Sequence, residues 1–553
     1  MGKLGGFLQI ERRGVPYRDA HERARDYREF MVVRPEQELR EQGARCMDCG
    51  VPFCHNGCPL GNLIPDWNDL VYRDRWREAI VQLHATNNFP DFTGRLCPAP
   101  CEAACVLEIR EGDAVTIKQI EHAIVERAFA EGWIKAEPPS PRHLSGQRVA
   151  VVGSGPAGMA AAQQLRRAGH DVTLFERDEA AGGLVRFGVP DFKIEKRIVE
   201  RRVQQLVEEG VELRCGVDVG RDLTVQELRE SFDAVVLATG SRVPRDLAVP
   251  GRELQGVHFA MDYLYQRNRF ITRELAAGNA LRSPDGALPT GALHSPDGAG
   301  SAPTAAAASV ASEGEPITAA GKHVVVIGGG DTGADCVGNA LREGAASIVQ
   351  LELLPEPPAH RPDDRTPWPE WPLKYRLSYA MEEAREEGVG EQDYAVTTTR
   401  FSGDADGGVA ALHVAQAQPR PPFAPVEGTE RELPAQLVLL AMGFLHPEQE
   451  LLDQLGVEKD PRGNVKAVAP YTTSVEGVFA AGDARRGQSL IVWAINEGRQ
   501  CARMVDRYLA GKRNGRAGVS GAVPEDGALL GHADADEGPE GPPSHVSGGV
   551  SVE

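Results

Sequence analysis

The chain has 553 residues, 41% of them hydrophobic, and a formal net charge of −20. That length holds about three or four domains, and that composition is ordinary for a globular protein. The acidity argues against nucleic acid as a partner, and no apolar run approaches the roughly 18 residues of a membrane span. The start of the chain lacks the apolar stretch of a secretory signal, so a reducing, cytoplasmic location is expected.

Residues 1–145 are charged and helix-prone, and Asp66 to Leu83 shows apolar residues at helical spacing. A small α-helical domain is expected here. It holds seven cysteines in two groups. Cys46, Cys49, Cys54 and Cys58 read C-x2-C-x4-C-x3-C-P. That is close to the bacterial ferredoxin run, in which the cysteine before the proline serves the other cluster. Cys97, Cys101 and Cys105 form the second group; on a helix, Cys101 and Cys105 would lie one turn apart. Two four-iron clusters need eight ligands. With seven cysteines, one ligand is of another kind or one cluster is incomplete. Zinc and disulfides remain open alternatives at this point. Cys215, Cys336 and Cys501 read as buried small hydrophobes.

Arg148 to Val152 reads as a strand, Pro156 to Arg167 as a helix, and Asp171 to Phe175 as the next strand. The first turn is Gly153-Ser-Gly155-Pro156-Ala-Gly158. In this setting the first glycine allows the tight turn and the second lets a pyrophosphate approach the backbone. The third lets helix and strand pack closely. The helix N-terminus then faces the phosphates, and Glu176 can accept hydrogen bonds from ribose hydroxyls. Residues 323–352 repeat the arrangement: strand His323 to Ile327, turn Gly328-Gly-Gly330-Asp331-Thr332-Gly333, a helix to about Glu343, strand Ser347 to Leu351, then Glu352. A carboxylate there favours NADH, because it repels a 2′-phosphate.

Two further apolar runs end in a glycine turn, Asp233 to Ser241 (with Thr239 and Gly240) and Gln436 to Phe444. Residues 283–320 are rich in Ala, Gly, Ser and Pro and read as a disordered insertion. Near the C-terminus, Gly482 lets the backbone approach a cofactor and Asp483 can bind sugar hydroxyls. Ala494 to Gly498 opens a final helix. After Arg516 there is no Lys or Arg but there are seven acids, which reads as a disordered acidic tail.

Together these motifs resemble the small (β) subunits of bacterial glutamate synthases, over about residues 5–510. The most specific pieces are Gly6-Phe-Leu-Gln-Ile-Glu-Arg-Arg13, the cysteine pattern, Gly182-Gly-Leu-Val-Arg-Phe-Gly-Val-Pro-Asp-Phe-Lys193, the second glycine turn through Val337, and Ala481 to Ile491. The wider family includes the flavin half of dihydropyrimidine dehydrogenase. The resemblance implies an α/β fold: an N-terminal α-helical iron–sulfur domain (1–145), then two Rossmann-like domains of the glutathione-reductase type, the second inserted in the first. FAD would occupy 146–250 and 444–512, and NAD(P)H 251–443, with the tail at 513–553.

The resemblance implies FAD on the first fingerprint, completed by Gly183 and Leu184, Thr239 and Gly240, and Gly482 and Asp483. It implies NADPH on the second, NADH being possible, with Arg361 or Arg365 as candidates to hold a 2′-phosphate. It implies two 4Fe-4S clusters, one on Cys46, Cys49, Cys54 and Cys105, the other on Cys58, Cys97, Cys101 and Glu121. Glu121 stands where the dehydrogenase relative has an amide ligand. The implied activity is electron input: NADPH to FAD, through the clusters, to a large subunit that makes glutamate from glutamine and 2-oxoglutarate. A pyrimidine reductase subunit or ferredoxin is the alternative acceptor. A disulfide reductase would need a redox Cys-x-x-Cys in a nucleotide domain, but the pair Cys46/Cys49 lies in the cluster run. No catalytic acid, base or nucleophile is expected, since the protein's part is cofactor placement.

Overall fold

The structure, a computed structural model, describes residues 2–277, 316–467 and 471–513. Most of the insertion expected at 283–320, and the acidic tail expected after 513, lie outside the described residues. Among the described residues no helix is long and apolar enough to cross a membrane.

The apolar runs form two parallel five-stranded sheets of the same layout. The first runs in the order Val478–Ala480, Ala234–Leu237, Arg148–Val152, Asp171–Glu176, Glu212–Cys215. The second runs Val257–Phe259, Leu437–Leu440, His323–Ile327, Ser347–Leu351, Gly390–Asp393. Ala234–Leu237 and Leu437–Leu440 are buried at every residue, as central strands covered on both faces must be. In each unit the first strand passes into a helix, Pro156–Arg167 or Asp331–Arg342. The turn demands glycine: Gly153 (φ 100°) and Gly328 (φ 125°) are left-handed, and a Cβ would stand 2.4 and 2.3 Å from the carbonyl oxygens of Ala238 and Ala441.

The second unit carries an antiparallel sheet of Val396–Gly403, Val409–Gln416 and Arg431–Pro434, which the sequence reading did not anticipate. The final helix, Ile491–Arg513, starts three residues before Ala494, at Ile491. It lies so close to helix Pro156–Arg167 that a Cβ on Gly498 would stand 2.2 Å from the Ala157 carbonyl oxygen.

The N-terminal region is helical, with two departures from expectation. Asp66 to Leu83 falls in two helices, Ile64–Tyr72 and Trp76–Thr86. They break at Asp74 (φ 63°), whose carboxylate accepts from Trp76 Nε1 at 2.9 Å. Helix Pro100–Ala103 ends before Cys105, so Cys101 and Cys105 do not share a helical face. Cys336 and Cys501 are buried, whereas Cys215, at the end of its strand, is half-buried.

Fully buried ion pairs join this region to both sheets. Arg202 Nε meets both oxygens of Asp91 at 3.0 Å, and Arg201 Nη2 reaches Asp91 at 3.0 Å. Asp91 belongs to helix Pro90–Leu96 and the arginines to helix Lys196–Glu208. On the other side Glu383 receives Arg23 Nε and Arg342 Nη1, each at 2.8 Å.

Candidate cofactor and cluster sites

A cavity of about 1620 Å³ lies between the two sheets. Gly153, Gly155, Pro156 and Glu176 line it from the first fingerprint. Gly183, Leu184, Thr239, Gly240 and Asp483 extend that wall. Gly328, Gly330, Asp331 and Thr332 line it from the second fingerprint. Gly158 and Gly333 do not reach it. They let the helices close on the turns: a Cβ would stand 1.8 and 2.2 Å from the carbonyl oxygens of Gly153 and Gly328. Gly482 is buried behind the wall, its N–H donating to Glu497 Oε2 at 2.9 Å.

The two strand-end carboxylates are held alike. Glu176 accepts from Ser154 N (3.0 Å) and Asp178 N (3.0 Å). Glu352 accepts from Gly329 N (2.9 Å) and Leu354 N (3.2 Å). Burial raises the Glu352 carboxyl above its ordinary range. Each carboxylate therefore spans the open side of its own glycine turn. Arg361 does not line the cavity; its Nη1 donates to the Glu370 carbonyl at 3.3 Å. Arg365 does not line it either.

The sequence reading quoted Lys193 but gave it no role. Its Nζ pairs with Asp335 Oδ1 at 3.0 Å, and the Tyr379 hydroxyl donates to the same oxygen at 2.6 Å. Both Lys193 and Asp335 line the cavity. The pair joins the two units across the wall of the cavity they share. No periodicity signals it, because the partners lie 142 residues apart.

Desolvation pushes the Asp483 carboxyl up to about 7 from 3.8. Such a carboxyl stays protonated in the folded chain while the unfolded chain has already ionised. Its contribution to stability is full below about pH 4 and is lost as pH rises towards 7. The flavin-free protein should therefore lose stability over that interval, and Asp483→Asn should flatten the loss. Thermal midpoints across the interval, compared for the two proteins, check this; parallel curves would contradict it.

The cysteines gather in two groups. Cys46, Cys49, Cys54 and Cys105 lie within electrostatic reach of one another. Cys58, Cys97, Cys101 and Glu121 line a second, much smaller cavity. One helical turn, Phe53–Gly57, separates the groups, with Cys54 inside it and Cys58 at its end. Among the described residues no three His, Cys, Asp or Glu lie close enough to hold a single metal ion.

Burial pushes the Cys46 and Cys58 thiols up to about 11 and raises Cys97 and Cys101 further. A bound metal reverses that tendency by holding the sulfurs as thiolates. Glu121 is buried and its carboxyl is raised to about 7 by desolvation. Asn87 Nδ2 (2.9 Å) and Thr93 Oγ1 (2.7 Å) both donate to its Oε1, which leaves Oε2 for the cavity. Three thiols and one oxygen around a small enclosed space fit a four-iron cluster, whose fourth corner accepts a donor other than sulfur.

The two cavities share a wall one residue thick. Leu96 and Pro98 line the large cavity, and Cys97 between them lines the small one. Val492 faces the small cavity, and its neighbours Ile491 and Trp493 face the large one.

Two dinucleotide units facing one cavity, with a cysteine-rich helical domain against its wall, define a pyridine-nucleotide oxidoreductase that carries an iron–sulfur domain. The family model described as pyridine nucleotide-disulphide oxidoreductase matches residues 147–498. The model described as dihydropyrimidine dehydrogenase domain II, 4Fe-4S cluster, matches residues 23–133. The chain belongs to the glutamate synthase small-chain family. It is 53% identical to the NADPH glutamate synthase small chain of Mycobacterium tuberculosis, covering 92% of this chain and 97% of that one. It is 46% identical to the Bacillus subtilis NADPH small chain, covering 92% and 99%. It is also 44% identical to the NADH glutamate synthase of Schizosaccharomyces pombe, covering 96% of this chain and 23% of that one.

Proposed function

We propose that this chain is the electron-input subunit of a glutamate synthase. In this reading it oxidises NADPH at the second fingerprint, holds FAD at the first, and delivers electrons through two 4Fe-4S clusters. The acceptor is a large subunit that makes glutamate from glutamine and 2-oxoglutarate. When bound, the flavin takes the electron pair of the hydride and the clusters carry electrons singly. The chain's own residues supply placement. The glycine turns and helix N-termini receive the pyrophosphates, Lys193 and Asp335 fix the two units against each other, and the wall at Leu96–Pro98 keeps water from the Cys97 side.

The observation that carries the reading is this shared wall. In this reading the group of Cys58, Cys97, Cys101 and Glu121 adjoins the flavin cavity, and the group containing half-buried Cys49 lies on the outer side. Electrons would enter at the first of these groups and leave at the second.

The purified chain should reduce an artificial dye with NADPH in preference to NADH. It should form no glutamate until a large subunit is added. Cys97→Ser should leave flavin reduction by NADPH intact and bring glutamate formation by the complex to background. Glutamate formed at the unmodified rate would remove this cysteine group from the path.

A further inference from the structure

The second sheet sends a long segment, residues 355–378, across to the helical domain without a helix or strand of its own. Its near end lies at the large cavity, where Leu353 and Leu354 form part of the wall. Its middle lies on the outer cysteine group. Trp368 Nε1 donates to the Cys105 carbonyl at 3.0 Å, and its ring packs on Phe53 with centroids 4.7 Å apart. Phe53 precedes Cys54. The indole thus spans two chain segments that bring two of the four thiols of that group. The segment is pinned again on the turn after Cys105, by Lys374 Nζ with Glu111 at 3.0 Å and His360 with Glu111 at 3.3 Å.

We infer that this strap, with Trp368 as its key residue, is the cover that keeps water off the outer iron–sulfur centre and sets its stability and potential. Solvent exposure and hydrogen bonding around the ligands tune both properties of such a centre. Trp368 acts as a positioning residue: it touches the backbone of one ligand and the neighbour of another. Because the strap is rooted at the nucleotide cavity, the cover of the exit centre belongs to the same unit that receives the nucleotide. This inference rests on the proposed cluster site at Cys46, Cys49, Cys54 and Cys105.

Trp368→Ala in the full chain tests it. Iron release to a chelator in air should be about tenfold faster, for one cluster's worth of iron. An EPR-monitored redox titration should show the midpoint of one centre displaced and that of the other unmoved. Anaerobic flavin reduction by NADPH should keep its rate, since Trp368 does not line the flavin cavity. Trp368→Phe, which keeps the ring and loses the N–H, should fall between. Unchanged iron release and unchanged midpoints in Trp368→Ala would overturn the inference while leaving the cluster assignment standing. An unmodified protein purified anaerobically without iron and labile sulfide would overturn that assignment and the inference with it. Should Trp368→Ala lose its flavin together with its iron, Lys374→Met decides in its place. That variant lifts the strap's second anchor and leaves the indole untouched, and faster release of one cluster is again the expected result.

Discussion

Gly155→Asp should yield a folded protein that binds no flavin. Gly155 is the N-cap of helix Pro156–Arg167 and has φ −64° and ψ 178°, a conformation open to any residue. A Cβ there meets nothing within 4 Å, so the protein itself does not oppose the substitution. Aspartate is moreover a favoured N-cap. What the side chain fills is the approach to the helix N-terminus, where a pyrophosphate would sit. A carboxylate in that place repels a diphosphate, and flavin content should fall from about one per chain to background. Absorbance of the purified variant measures this, with circular dichroism as the check on folding. Full flavin retention would mean that the first fingerprint is not the flavin site. Gly153→Ala makes the contrast, because its Cβ would press on the Ala238 carbonyl and the loss would be one of folding.

Asp91→Ala should cost about 3–5 kcal/mol, the usual consequence of stripping one partner from a buried ion pair. Arg202 is fully buried and would keep its charge with Gln205 Oε1 (2.8 Å), the distant His84 ring (3.5 Å) and the Phe129 ring (4.7 Å) beside it but no carboxylate in direct hydrogen bond. Arg201 retains Glu126, so the damage centres on Arg202. The expected measurement is a lowered denaturant midpoint with loss of iron preceding loss of flavin, since Asp91 belongs to the helical domain. The double variant Asp91→Leu with Arg202→Met should recover much of the loss, because it removes the stranded charge as well. A midpoint within experimental error of the unmodified protein would show that the pair contributes little.

Much of this architecture is legible in the sequence because local chemistry dictates it. Short apolar runs bounded by turn signals read as buried parallel strands, and the strands at 148, 171, 323 and 347 begin where those runs begin. The cysteine spacings show which thiols are neighbours along the chain. The Cys58-Pro59 turn already sends Cys58 away from its three neighbours in the run, whereas spacing alone does not show that Cys105 lies with Cys46 rather than with Cys101; that comes from the resemblance. Glu121 carries no signal of its own. It is one acid on a helix; the resemblance singles it out, and the structure puts it on the wall of the small cavity.

The three-stranded sheet between 396 and 434 stayed hidden, since its strands mix buried and exposed positions without clean alternation. The Pro-rich segment after Leu354 forms no helix or strand up to residue 378, and what it touches lies more than two hundred residues away in the chain. Arg361 shows the same limit. Its position after the strand made it a candidate for the nucleotide phosphate, and the segment carries it elsewhere.

The partition at Leu96–Pro98 has a consequence for how such a chain can vary. Neighbouring residues there belong to opposite chambers, so sidedness is a matter of parity. Adding or deleting one residue between helix Pro90–Leu96 and Pro98 would turn the thiol to the large cavity and an apolar side chain to the small one. Substitutions that keep bulk in this stretch should preserve the partition, while a change in its length should break it. The two cavities are held apart there by a single polypeptide strand.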